Sequence, residues 1–133
     1  MKAGERGQSA AELGMLLPML LLIVVGIVEV AGSMNTYLTL VNAARDGARL
    51  GSKGLATDAE IRNLVVKETA RLRDPVDPMA DVMVQRWQLN GEDSITVEVC
   101  NDRSLILRIP IVLPDTFRLC SDTTMRIFPP QPY

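Results

Sequence analysis

The sequence predicts an α+β fold: a long amino-terminal helix, transmembrane at first and continuing into the soluble part, then a second helix, then a small antiparallel sheet of three to four strands. Three observations carry this expectation. Residues 13–28 (LGMLLPMLLLIVVGIV) hold no charge and no side-chain hydrogen-bonding group. Beyond residue 33 the pattern keeps a helical period, and from Val82 the period shortens from helix-like to alternating.

Sixteen apolar residues rise about 24 Å as a helix, and Ala10, Ala11, Val30 and Ala31 extend the span to about 20 residues, close to the ~30 Å hydrocarbon core. Glu12 and Glu29 bound the run, and Glu29 then sits near an interface where its carboxylate can reach water. No polar face exists along the run, which argues against a soluble core helix. Two readings remain. One is a cleaved signal peptide with Ala31-Gly32-Ser33 as the small-residue cleavage site; the other is a retained single-pass anchor. Lys2 and Arg6 stand against Glu5 before the run, while Arg45, Arg49 and Lys53 stand against Asp46 after it, so charge alone leaves the orientation open. Pro18 removes one backbone donor and loosens the helix locally, either as a tolerated kink or with a purpose.

After Ser33 comes MNTYLTLVNAARDGARLGS. Tyr37, Val41, Ala44 and Ala48 fall on one helical face, with Arg45 and Arg49 one turn apart on another side. Ala43, Ala44, Gly47, Ala48 and Gly51 are small, so another backbone can approach closely. A plain signal peptide predicts a break here rather than a continuing helix.

Thr57-Asp58-Ala59-Glu60 is a capping box, and Ile61, Leu64, Val65 and Leu72 mark one face of a helix expected over 58–73. Its positive charges read as a solvated face. Asp74-Pro75-Val76-Asp77-Pro78 ends that helix and forms a linker, in which capping and solvation account for both carboxylates. VMVQRWQL and ITVEVC flank Asn90-Gly91 as a hairpin, with the connection expected to run through Glu92-Asp93-Ser94 and so to exceed two residues. Ile95, Val97 and Val99 face one way, Thr96, Glu98 and Cys100 the other. A third strand is expected over 105–111, made an edge or an exit by Pro110, and a fourth over 123–128. Trp87 reads as a sheet-packing residue.

Composition narrows the function. The 133 residues carry 14 Lys and Arg against 16 Asp and Glu, net −2, without the basic cluster that a nucleic-acid partner needs. With no histidine, Ser-His-Asp and Cys-His catalytic units and His-containing zinc sites are excluded within this chain. Two cysteines cannot supply a four-thiolate metal site. No phosphate loop and no nucleophile elbow occurs, so the chain reads as no enzyme, with no cofactor and no metal. Cys100 and Cys120 either remain free thiols or, in an oxidising compartment, form a disulfide closing a loop of about 20 residues.

Gly7, followed by Gln8-Ser9-Ala10-Ala11-Glu12 and the apolar run, resembles the processing site of class III (type IV-like) prepilins. GQSAAELGMLLPMLLLIVVGIVEV and NAARDGARLGS together resemble the TadE-like proteins of tight-adherence (Flp-type) pilus systems, over about a third of the chain. Leu13 stands where that family commonly has an aromatic. The resemblance implies that residues 1–7 are a leader, cut between Gly7 and Gln8 by a prepilin peptidase. Residues 8–33 are then the transmembrane helix, 34–56 its extension and turn, and 57–133 an exported α+β domain. It implies a single-pass protein of the bacterial inner membrane, N-in, working as a minor pilin or pseudopilin. Its partners would be a companion pseudopilin, major pilin subunits, the inner-membrane assembly platform and the lipid bilayer. Glu12 would pair with a neighbouring subunit's new amino terminus. On the residues alone, Ser9-x-x-Glu12 is also a capping box, and the helix dipole favours a carboxylate in a first turn. Ala44, Gly47, Ala48 and Gly51 would pack against other pilin-type helices.

Overall fold

The computed structural model describes residues 3–89, 91–105 and 115–128. In chain order the elements are α1 (Ala3–Ser52), α2 (Asp58–Thr69), β1 (Val82–Leu89), β2 (Glu92–Ser104) and β3 (Thr116–Arg126). This is the α+β class the sequence predicts, with three strands among the described residues. The chain forms two compact units, Met1–Gly32 and Ser33–Tyr133.

Among the described residues the first unit is helix alone, from Ala3 onward. Its large apolar side chains are uncovered: Leu13, Met15, Leu20, Ile23, Val24 and Val30 are all at least half exposed. Pro18 stands inside it and leaves the carbonyl of Gly14, one turn earlier, without its usual N–H donor.

In the second unit the rest of α1 is a core helix. Thr36, Leu40, Ala43, Ala44, Gly47, Ala48 and Gly51 are buried, at a spacing that makes a single stripe down one side. The face differs from the expected one: Tyr37 is 44% exposed and Val41 half-buried, because the stripe lies one position earlier and runs through Leu40 and Ala43. Arg45 and Arg49 are exposed, as their spacing predicts.

Both bonds of the expected capping box start α2: the Glu60 N–H donates to Thr57 Oγ1 at 3.3 Å and the Thr57 N–H donates to Glu60 Oε2 at 2.8 Å. Ile61, Val65 and Thr69 are its buried side. The helix ends at Thr69, four residues short of the expected 73. Thr69 Oγ1 donates to the Val65 carbonyl at 2.9 Å and the Leu72 N–H to the Thr69 carbonyl at 2.9 Å, so tighter local bonds replace the helical ladder. Asp74 then anchors the chain to β2. Its carboxylate accepts from the Ser104 N–H at 3.0 Å, and its carbonyl from Asn101 Nδ2 at 2.9 Å.

The sheet order is β1-β2-β3, antiparallel throughout. The hairpin is tighter than expected. Leu89 pairs with Glu92, leaving only Asn90 and Gly91 between the strands, and Gly91 has φ +83°, the left-handed backbone that a two-residue hairpin turn requires. Ile95, Val97 and Val99 are buried against the helices, as their alternation predicts. β2 runs on to Ser104, past the expected end at Cys100. The expected third strand falls almost wholly on 106–111, outside the described residues. The expected fourth strand is the latter part of β3, which begins at Thr116. Where α1 meets β2 and α2 the fit is close: a Cβ at Gly51 would come within 2.3 Å of Ile95 Cδ1, and one at Gly47 within 3.0 Å of Val65 Cγ2.

Candidate functional site

The Gly7–Gln8 bond lies within α1, which begins at Ala3. Ser9 is therefore inside the helix and is no N-cap, contrary to the capping-box expectation. Gln8 and Glu12 are exposed, one helical turn apart, and Gln8 Nε2 donates to Glu12 Oε1 at 3.2 Å. A peptide bond held in helical geometry is a poor protease substrate, so cutting here requires the first turns to open locally. Two glycines, Gly4 and Gly7, and the ends of any helix favour that opening.

Beyond Glu12 the helix is long and apolar enough to cross a membrane, and its most apolar stretch is 0% buried within the chain. A large aliphatic side chain left in water forgoes about 1.5–3 kcal/mol of burial, so a whole helix of them needs a non-aqueous surrounding. The span bounded by Glu12 and Glu29 has the length and apolarity that suit a membrane anchor.

The four small residues Ala44, Gly47, Ala48 and Gly51 lie together in the second unit, all buried. The close approach they permit is made within the chain: Ile61 and Val65 of α2 and Ile95 and Val97 of β2 occupy the space over the two glycines.

Cys100 and Cys120 form a disulfide. They are directly opposed on β2 and β3, with Cα atoms 4.1 Å apart. The Cys100 N–H donates to the Asp81 carbonyl at 2.8 Å on the β1 side, so toward β3 this is a non-hydrogen-bonded pair, the closer of the two kinds. Glu98 lies near the two sulfurs, but sulfurs bonded to each other offer no thiolate to a metal. Trp87 is on the same outward face, where Nε1 donates to Thr96 Oγ1 at 2.9 Å and Thr96 shares a 2.8 Å bond with Thr124. It is a cross-strand packing residue.

The linker carboxylates act on backbone. Asp77 Oδ1 accepts from the N–H groups of Met79 (2.7 Å) and Ala80 (3.1 Å), and these bonds hold its carboxyl below the usual range. The Thr57 N–H and hydroxyl lower Glu60 in the same way. Exposed ion pairs tie the elements at the rim: Arg86 with Asp58, Arg126 with Glu92, and Arg118 with Asp81 and Asp102. Sequence reasoning missed one buried polar contact, in which Arg103 Nη1 of β2 donates to Thr36 Oγ1 of α1 at 3.0 Å. Arg103 shares the inward parity of Ile95, Val97 and Val99, and that parity was the signal for it.

No curated protein and no solved structure matches the chain. The family model for TadE-like protein matches residues 7–49, from the glycine ahead of the anchor to the second arginine beyond it, and this segment is TadE-like.

Proposed function

We propose that this chain is a membrane-anchored minor pilin or pseudopilin that takes part in assembling a Flp-type (tight-adherence) pilus. The observation that carries the reading is the uncovered apolar helix directly behind Gly7-x4-Glu12, in a segment that matches TadE-like proteins. A prepilin peptidase on the cytoplasmic side would cut after Gly7 and leave the helix attached. Cutting would place Ser9 second in the chain, where it can cap the shortened helix with Glu12 at the third helical position. Glu12, at the bilayer boundary, would then pair with a neighbouring subunit's new amino terminus. A carboxylate is costly to bury there without a partner, so the pair would guide insertion in register.

The Cys100–Cys120 disulfide supports export of the second unit to an oxidising compartment, hence an N-in, single-pass topology in the bacterial inner membrane. There the chain would work with a companion pseudopilin, major pilin subunits and the assembly platform. The test is expression of Gly7→Leu and Glu12→Gln in cells that make the pilus. Gly7→Leu should stay full length and abolish pili. Glu12→Gln should still be cut while pilus yield falls at least tenfold. Normal pili in both variants would contradict the proposal.

A further inference from the structure

A cleft of about 540 Å³ opens in the second unit beside α1 and the end of α2, lined by Asn35, Thr39, Asn42, Lys67, Glu68 and Arg71. Lys67 is in the last turn of α2 and Arg71 follows its C-cap Ala70. Among the described residues neither joins an ion pair, whereas Arg86, Arg118 and Arg126 each hold a carboxylate. Asn35 and Asn42 add two amides that can donate, while the Thr39 hydroxyl already donates to the Asn35 carbonyl. Two cations and two amides outweigh the single carboxylate of Glu68, so the cleft is built for an anion that also accepts hydrogen bonds.

Its position along the chain says where that anion comes from. Asn35 is four residues past Ala31, the end of the apolar span, and four residues reach at most about 14 Å in any conformation. The polar headgroup layer on each side of a bilayer is roughly 5–8 Å deep, and screening is incomplete over about 8 Å. The tether therefore keeps the Asn35 end of this cleft at or next to a layer of phosphates. We propose that the cleft receives the phosphate of a membrane lipid headgroup and so fixes the exported domain against the leaflet from which its helix emerges. The proposal rests on the apolar helix being a retained anchor.

The test uses the full chain purified in detergent from a membrane fraction, titrated with phosphatidylglycerol and observed by native mass spectrometry. One phosphatidylglycerol should bind in preference to diacylglycerol, which lacks the phosphate. Lys67→Gln/Arg71→Gln should weaken that binding about thirtyfold, the loss expected for two cations at a charged surface. Arg45→Gln/Arg49→Gln removes the same charge outside the cleft and should leave it unchanged. Equal weakening in both double variants, or none in either, overturns the proposal. So does displacement by free glycerol phosphate at the lipid's own affinity, which would make this a site for soluble phosphate. The intact mass in the same spectra reports whether the anchor is present, so loss of the anchor is seen separately from loss of the lipid.

Discussion

Gly51 shows how a residue chosen for smallness is recognised only in part from sequence. A run of Ala and Gly after the anchor announces that something comes close, but not what. The structure supplies Ile95 and Ile61. Gly51→Ala should cost about 1–2 kcal/mol, overpacking outweighing the helix propensity that Ala gains over Gly. Combining it with Ile95→Val removes the methyl nearest the new Cβ, so the double variant should be less destabilised than the sum of the singles in a thermal-unfolding cycle. Simple additivity would show that the close approach is not the cause. Gly26, with nothing within 4 Å of an added Cβ, should tolerate Ala without loss of fold.

Acid sensitivity also belongs to single residues. Glu60 and Asp77 have folded-state values below their ordinary ones of 4.5 and 3.8. A lowered carboxyl stabilises the fold at pH values above its unfolded value, and that stabilisation is lost as the pH falls through the folded one. The melting temperature should therefore drop on acidification below about pH 4.5. Thr57→Ala, which removes the hydroxyl bond to Glu60, should melt lower at pH 7 and show a shallower acid decline. An unchanged pH dependence in that variant would contradict the assignment.

At the scale of elements, the sequence was most readable where one local rule suffices. The capping box set the start of α2, the alternation of Ile95, Val97 and Val99 set the buried face of β2, and β1 occupies the predicted residues. Ends were less readable because tertiary contacts decide them. Asn101 and Asp102 are poor strand formers on propensity, yet β2 continues through them to Ser104. Asn101 and Ser104 bond Asp74, Arg103 bonds Thr36, and β3 pairs alongside. No window of the chain contains those partners. The stripe on α1 was misplaced for a related reason: Tyr37 and Leu40 are both apolar, and only the position of the sheet decides between them. The disulfide belongs to this scale too, since it joins two strands. Its loop of about 20 residues gives roughly 3 kcal/mol in the chain-entropy model. Cys100→Ala/Cys120→Ala should lose about that much in denaturant unfolding, and reduction of the native chain should lose a similar amount. A loss below about 1 kcal/mol in both would show that the strands hold without it.

For the whole molecule, the two units divide the chemistry. The first unit contains the stretch of α1 whose apolar surface from Leu13 onward suits lipid, and the second contains the buried core. The boundary falls beside the small residues Ala31-Gly32-Ser33, where a signal peptidase would also cut, so the two readings of the apolar run give different mature proteins from the same fold. A continuous α1 through Ser33 favours retention, because a signal-peptidase site is normally read in extended chain. The TadE-like match from residue 7 includes the glycine and the helix as one segment, as retention requires. Retention after a cut at Gly7 is the central claim. Its most direct test is the amino-terminal sequence and intact mass of the protein recovered from the membrane fraction of cells that make the pilus. A chain beginning at Gln8, with the apolar helix still attached, is the predicted result; a chain beginning just after Ser33 in the soluble exported fraction would contradict it.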